Sequence, residues 1–476
     1  MSQKNSIKTS YAYSLLYQIL LVVVPLITTP YVSRVLEADG VGIHSLTATN
    51  TSYFTLFGVL GLGTYGQLEI AKVKDDIKQR SKLFYEIMLT RIGTHILCII
   101  GYFILIILSS KYKTMYMLQS ILILASMLDI TWFFQGVEEF KKIAIRNTII
   151  KIFSVVLIFL LVKKKNDLFI YTCILSLTSL LCSITFYPVL KKYIIRVDLK
   201  SLKPSKHIKG SFIFFLPTIA SVIMTSLDKT MIGIITKSEE ENGYYAQAYK
   251  IETLCMSLFS SLNLVIRSRM AYLFNNKDKN TASDLLFKSL RFVSLIAFPI
   301  AFGTIAITSN FVPWFFGEGY EKVNILLPIF AFWLIFKSHS NCIMEQNLTA
   351  CGRQKTATVI IWAGAILNVA LNAVLISSYK SIGAAIASVG AEICIFILVF
   401  VKCKNDVSFI RFLTNAWKYF IAAVIMCGIV ILTGKILYQN ILSTVIQIGV
   451  GGIIYLVLLV ALRDSLIISI LNKKKI

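Results

Sequence analysis

Long apolar stretches alternate with short polar ones from one end of the chain to the other. A membrane-crossing helix needs about 20 mostly apolar residues. Fourteen stretches meet that length: 11–34, 41–66, 83–108, 114–137, 143–162, 168–190, 210–236, 243–266, 285–309, 323–349, 355–377, 381–401, 413–433 and 440–462. The connections are short, the longest running over 191–209. Backbone groups in hydrocarbon must be satisfied within the segment, so these stretches predict helices. The fold class is an all-α polytopic membrane protein of about fourteen spans. The apolar run after Lys8 carries Pro25 and Pro30 and no small-residue cleavage site, and it reads as a retained first span rather than a signal peptide.

A weak internal repeat organises the spans. The first contains Pro25 and exits through Glu37-Ala-Asp-Gly40; the seventh contains Pro217 and exits through Glu239-Glu-Glu-Asn-Gly243. In both, a proline-interrupted helix turns at an acidic-Gly step and re-enters. Six spans per half makes the repeat parallel, about an axis along the membrane normal. The expected domains are an N-lobe at 1–190, a linker at 191–209, a C-lobe at 210–402, and two extra spans with a basic tail at 403–476.

Composition agrees and excludes other classes. The chain is 56% hydrophobic and 15% charged, where soluble domains run about 45–50% and about 25%. Its net charge of +24 has no nucleic-acid motif beside it, and the distribution explains it. One alternate set of loops holds 31 Lys and Arg and the other holds 10, with seven inside the spans. Cytoplasmic loops collect such residues, which puts both termini in the cytoplasm. None of the nine cysteines forms a CxxC pair, so neither a disulfide framework nor a metal site is indicated, and no cofactor is expected. The Lys-, Ile- and Asn-rich composition fits a low-GC bacterium and its cytoplasmic membrane.

Ionisable residues inside a bilayer are costly and face cavities or one another. In the tenth span Lys337, Asn341 and Glu345 stand at i, i+4, i+8, one polar stripe on an apolar helix. It lines a cavity or belongs to a buried network. Arg91 and His95 share a face of the third span; Asp129 stands before Trp132 in the fourth; Asp228 and Lys229 are adjacent in the seventh. Lys250 lies in the eighth, Glu392 is central in the twelfth, and Arg34 ends the first. The cations Arg34, Arg91, Lys229, Lys250 and Lys337, with Asn341, are the candidate binding groups for an anionic ligand such as a phosphate. The acids Asp129, Asp228, Glu345 and Glu392 either pair with them or carry a proton or sodium ion. A membrane enzyme such as a glycan polymerase needs catalytic groups in a substantial loop or cavity. With short outer loops, four histidines, and no DxD or HxxxD in a loop, an enzyme is not expected.

Several stretches resemble the polysaccharide-biosynthesis flippases, the Wzx-type exporters of the multidrug/oligosaccharidyl-lipid/polysaccharide superfamily. The specific one is 128–151, which opens Leu128-Asp-Ile-Thr-Trp-Phe-Phe-Gln-Gly136 and closes Ala144-Ile-Arg-Asn-Thr-Ile-Ile-Lys151. Looser ones are Val32-Ser-Arg34 through Gly42, Gly63-Thr-Tyr-Gly-Gln-Leu-Glu-Ile-Ala-Lys72, Asp228-Lys-Thr-Met-Ile-Gly233 and Gly243-Tyr-Tyr-Ala-Gln-Ala-Tyr-Lys250. Leu68 departs from the pattern, where a basic residue is expected. The resemblance implies a two-lobed transporter working by alternating access through a cationic cavity. Its cargo would be an undecaprenyl-pyrophosphate-linked oligosaccharide, the polyprenyl tail staying in membrane lipid. Its driving force would be a proton, a sodium ion or the membrane potential, and its partners a glycan polymerase and glycosyltransferases. The same fold serves multidrug or metabolite exporters and lipid II flippases, the alternative readings.

Overall fold

The computed structural model describes residues 2–109, 111–276 and 278–471. Among these the chain is helical, with no strand. It divides into two compact units, Met1–Thr230 and Met231–Ile476. The first holds α1 (Ser2–Val59), α2 (Leu62–Lys72), α3 (Ile77–Leu108), α4 (Lys113–Leu128), α5 (Thr131–Gly136), α6 (Phe140–Leu161), α7 (Leu168–Ile184), α8 (Tyr187–Leu190) and most of α9 (Lys206–Thr236). The second holds α10 (Glu239–Asn275), α11 (Lys279–Phe316), α12 (Val323–Ile343), α13 (Gln354–Lys402), α14 (Phe409–Ile436), α15 (Ile441–Ala461) and α16 (Ser465–Leu471). The basic tail at 473–475 lies outside the described residues.

Helix starts are written in the polar connections. Asp76, Ser238, Asp278, Ser408 and Asn440 each accept a backbone N–H from the first turn of the next helix, satisfying donors that would otherwise go unmet. Eleven helical stretches are long and apolar enough to span a membrane. Two of them, Tyr17–Lys72 and Gln354–Lys402, are broken at Glu37 and Lys380, where φ is 55° and 54°. Counting those two twice and adding the less apolar α10 gives the expected fourteen passes.

The break in α13 is a full reversal. Residues eight apart on a straight helix are about 12 Å apart along its axis. Yet a Cβ on Gly383 would lie 2.2 Å from the Leu375 carbonyl oxygen, and one on Gly364 would lie 2.4 Å from the Ile395 side chain. The two arms are antiparallel, pressed together where glycine permits it. A similar positive φ, 53° at Lys237, sits between α9 and α10. The first and seventh spans therefore both end on a left-handed residue, Glu37 and Lys237.

Each unit ties turns together with an ion-paired cluster. In unit 1, Lys165 bridges Glu37 at 2.7 Å and Asp39 at 3.1 Å, joining the turn after the first pass to the turn before α7. In unit 2, Glu241 accepts from Lys322 Nζ at 2.6 Å, Ser381 Oγ at 2.5 Å and the Ser381 amide at 3.2 Å. One carboxylate at the head of α10 thus gathers the starts of α12 and of the second arm of α13. Further into unit 2, α14 and α15 pack on α11 through polar contacts. Asn310 donates to the Gly434 carbonyl at 3.0 Å and to Gln447 at 3.2 Å, and Trp314 to Thr444 at 2.8 Å.

The reversal and the carboxylate clasp each make a prediction. Gly383→Ala should cost about 1–3 kcal/mol by overpacking against backbone. Gly428→Ala, with nothing within 4 Å of its added Cβ, should be neutral or slightly stabilising. Melting temperatures (Tm) of the two purified variants decide this. At Glu241, burial works to raise the carboxyl, but the hydrogen bonds from Lys322 and Ser381 outweigh it and hold it below the ordinary carboxylate range. A carboxyl depressed in the folded state stabilises above its unfolded value, about 4.3, and loses that contribution as pH falls through the folded one. The Tm should therefore fall on acidification below about pH 4.3, and the acid limb of a Glu241→Gln variant should be flatter.

Candidate functional site

The most elaborate polar site of unit 1 starts where α4 stops. Asp129 caps that helix with extended backbone and accepts from the Thr131 amide at 3.0 Å and the Thr131 hydroxyl at 2.5 Å. The short α5 comes next. Its Trp132, Phe133 and Phe134 are buried, packed with Phe84, Leu62, Ile70 and Phe186. Gly66 lets the Trp132 ring approach: a Cβ there would lie 2.5 Å from it. The aromatic run thus fixes the break, and the break frees carbonyls at the end of α4.

Arg91 on α3 takes one of them. Its Nε and Nη2 donate to the Ser126 carbonyl at 3.0 and 2.6 Å, and Nη2 lies 4.0 Å from Asp129 Oδ2. The residue is 3% exposed. His95, one turn on, is hydrogen-bonded to the Arg91 carbonyl at 2.8 Å and to Ser126 Oγ at 3.2 Å, beside Gly58, where a Cβ would strike its ring.

Helix α6 supplies the facing wall. Arg146 donates to the Cys182 carbonyl at 2.8 Å, to Thr131 Oγ1 at 3.2 Å and to Asn147 Oδ1 at 2.8 Å, with its guanidinium 3.8 Å from the Phe186 ring centre. One turn beyond Asn147 stands Lys151. Among the described residues nothing bonds to its ammonium. These walls, with α1, α2 and α7, line an open cavity of about 810 Å³. Among the described residues, three cations (Arg91, Arg146, Lys151), the single acid Asp129, the amides of Gln67, Gln135 and Asn147, and numerous hydroxyls come into it. A cavity so lined suits an anionic ligand rich in hydroxyl groups, with Lys151 as the cation not already committed to protein.

Of the residues expected from sequence, Arg91 and Asp129 line this cavity. Asp228 is buried and Lys229 half-buried on α9, while Arg34 is exposed near the Glu37 break. None of these three lines the cavity. In unit 2, Lys337 donates to Glu392 Oε2 at 3.2 Å, and Ser340 to Glu392 Oε1 at 2.5 Å. Glu345 instead accepts from Arg267 at 2.8 Å. The stripe Lys337, Asn341, Glu345 is interrupted by a π-helical turn, Met344–Thr349, which widens the helix and shifts the register of the residues beyond it. Asn341 is half-buried one turn beyond Lys337, and Lys250 is half-buried on α10.

Sequence alone does not single out Arg146, Asn147 and Lys151 as site residues. Arg146 falls in a basic loop by hydropathy, and Lys151 is one of the seven cations within spans. The signal that reveals Asn147 and Lys151 is periodicity: with Ser154 they fall on one face of an otherwise apolar helix.

The two kinds of cation should part on mutation. Arg91→Met leaves a buried carbonyl without its donor and should cost about 1–3 kcal/mol. Lys151→Met breaks no bond and should leave the Tm unchanged or raise it. Thermal unfolding of the purified variants distinguishes them.

Comparison with known proteins places this architecture. The family model described as "Polysaccharide biosynthesis protein" matches residues 7–267. A putative O-antigen transporter of Escherichia coli K12 is 23% identical over 411 residues, covering 85% of this chain and 98% of the relative. Among solved structures, the lipid II flippase MurJ in an inward closed conformation superposes with a TM-score of 0.76 at 17% identity, over 96% of this chain and 99% of that one. An inward-facing multidrug resistance MATE family transporter of the MOP superfamily gives 0.56 at 12% identity, over 83% and 98%. Their fold is the two-lobed, all-helical one expected from the spans. With its family model matched across more than half its length, this multi-pass membrane chain belongs to the polysaccharide biosynthesis protein family.

Proposed function

We propose that the protein is a flippase for a lipid-linked glycan. It would move an undecaprenyl-pyrophosphate-linked oligosaccharide from the inner to the outer leaflet of a bacterial cytoplasmic membrane, with both termini cytoplasmic, for surface polysaccharide synthesis. The observation that carries the reading is the unit 1 cavity, with three cations against one acid and a lining of amides and hydroxyls. Pyrophosphate is recognised by charge-assisted hydrogen bonds, and sugar hydroxyls by amides and hydroxyls. A volume of about 810 Å³ is within the usual range for ligand sites, about 300–1,000 Å³. The names of the relatives, an O-antigen transporter and a lipid II flippase, support the same cargo class. A cationic drug would meet net positive charge in that cavity, which weighs against the exporter reading.

In this reading the cavity opens alternately to the two sides while the polyprenyl tail stays in lipid. Lys151 holds pyrophosphate directly, while Arg91 and Arg146, already bound to carbonyls, present their remaining N–H groups. Roles for Arg34, Lys229, Lys250, Lys337 and Asn341 in the passage of the head group belong to the same proposal, as do the lobe limits 1–190 and 210–402. A glycan polymerase and glycosyltransferases would act on either side of this step.

The test is to deplete cells of the protein and extract their polyprenyl-linked sugars. A complete repeat unit, still on its lipid and facing the cytoplasm, should accumulate; lipid II in its place would move the cargo to the cell-wall precursor. Normal lipid-linked intermediates with intact surface glycan overturn the proposal. In complemented cells Lys151→Gln should lower export about tenfold or more, as expected for one charge-assisted contact, with protein levels unchanged.

A further inference from the structure

Unit 2 balances its intramembrane charges pair by pair. Lys337 holds Glu392 and Arg267 holds Glu345; towards the helix ends Arg291 holds Asp464, Lys322 holds Glu241 and Arg353 holds Asp406. Among the described acids buried in unit 2, Glu252 on α10 has no such cation. Its side chain is fully buried, and neither Oε1 nor Oε2 has a hydrogen-bond partner among the described residues. Counted from Gly243 at 1.5 Å per residue, it lies about 14 Å into a hydrocarbon layer about 30 Å thick.

Among the described residues no cation is paired with Glu252. Lys250, two residues earlier, projects from a different face of the helix. Cys255, one turn on, is a thiol and brings no positive charge. The elements packed on α10 are α11, α12, the π-helical turn and α13. Of their charged and titratable groups away from the helix ends, Arg291 is engaged with Asp464, Lys337 with Glu392, Glu345 with Arg267, and His339 with Ser294 at 2.9 Å and the Ile335 carbonyl at 2.7 Å, while Cys342 is a buried thiol and Lys288 is exposed. No cluster of three His, Cys, Asp or Glu that could hold a metal ion occurs among the described residues. A bare carboxylate at such a position carries a large desolvation cost. A metal ion would need several oxygen ligands to make up for lost water. The smallest neutralising ligand is one proton.

We propose that Glu252 is a proton-binding site inside unit 2. Its carboxyl carries the proton in this conformation and releases it when the unit rearranges to admit water. Release breaks the carboxyl O–H bond and passes the proton to a water molecule, leaving carboxylate and hydronium. On the flippase reading, on which this last part rests, the step ties cargo movement to a proton gradient. Glu252 would then be the coupling group, in place of Asp129, Asp228, Glu345 and Glu392.

Infrared spectra of the full-length protein in lipid at neutral pH test the site without any cargo. The wild type should show a protonated carboxylic-acid carbonyl band that is missing in Glu252→Gln; if the wild type lacks it, or the variant keeps it, the site is refuted. Glu252→Leu gives the same readout should the glutamine variant fail to fold. Exchanging sodium for choline should leave the wild-type Tm unchanged. A sodium-dependent rise that Glu252→Gln abolishes would make this a sodium site and overturn the proton. In vesicles carrying the extracted lipid-linked glycan, an imposed proton gradient should speed wild-type transfer several-fold and leave Glu252→Gln unaffected. Absent transfer by the wild type, with the carboxylic-acid band present, sinks the flippase reading and spares the site; transfer equally driven in both proteins sinks the coupling.

Discussion

A charge in hydrocarbon has almost no solvent to fall back on, and the cost of leaving it bare exceeds any single hydrogen bond in the fold. Most of the polar architecture answers to that constraint. Arg91 is admitted to the interior of unit 1 because α4 ends beside it and exposes a carbonyl. Lys337 is admitted to unit 2 because Glu392 meets it from across a helix interface, while Ser340, on the same helix as Lys337, donates to that carboxylate. The aromatic packing of Trp132, Phe133 and Phe134 holds the end of α4 in place, so the charge arrangement of the cavity rests on an apolar cluster.

The two units answer a second constraint in parallel ways. A helical hairpin in lipid must reverse within very few residues, because unpaired backbone is not tolerated there. Both halves do so with a residue in the left-handed region, at Glu37 and Lys237, and both then stitch neighbouring turns with one ion-paired cluster, at Lys165 and at Glu241. The chemistry at the two reversals is thus similar, whatever the sequence around them.

The spans were legible in the sequence because length and hydropathy are nearly sufficient when lipid is the solvent. The reversals inside 11–66 and 355–401 were legible for the same reason, since one straight helix of that length would overrun the membrane. What escaped was partnership. Lys337 and Glu392 are 55 positions apart, and no helical period connects residues on different helices. Lys151 escaped because it has no charged residue three or four positions away to mark its face, only neutral ones such as Asn147 and Ser154. The π-helical turn escaped because one extra residue per turn is set by what packs around it, and it diverts Glu345 from the stripe begun by Lys337.

The contact between Arg91 and the Ser126 carbonyl also changes how the cavity should be counted. That carbonyl sits in the last turn of α4, where the aligned peptide dipoles sum to about half a negative charge. Arg91 therefore serves as the cap of a helix end, and with Asp129 close by much of its field is spent before it reaches the cavity. Formal charge overstates what a ligand would feel: the local potential is dominated by α6, through Lys151 and the outer edge of Arg146. An anion in the cavity would be drawn off-centre toward one wall, and a ligand carrying two phosphates would lie along α6 rather than bridge the cavity from α3.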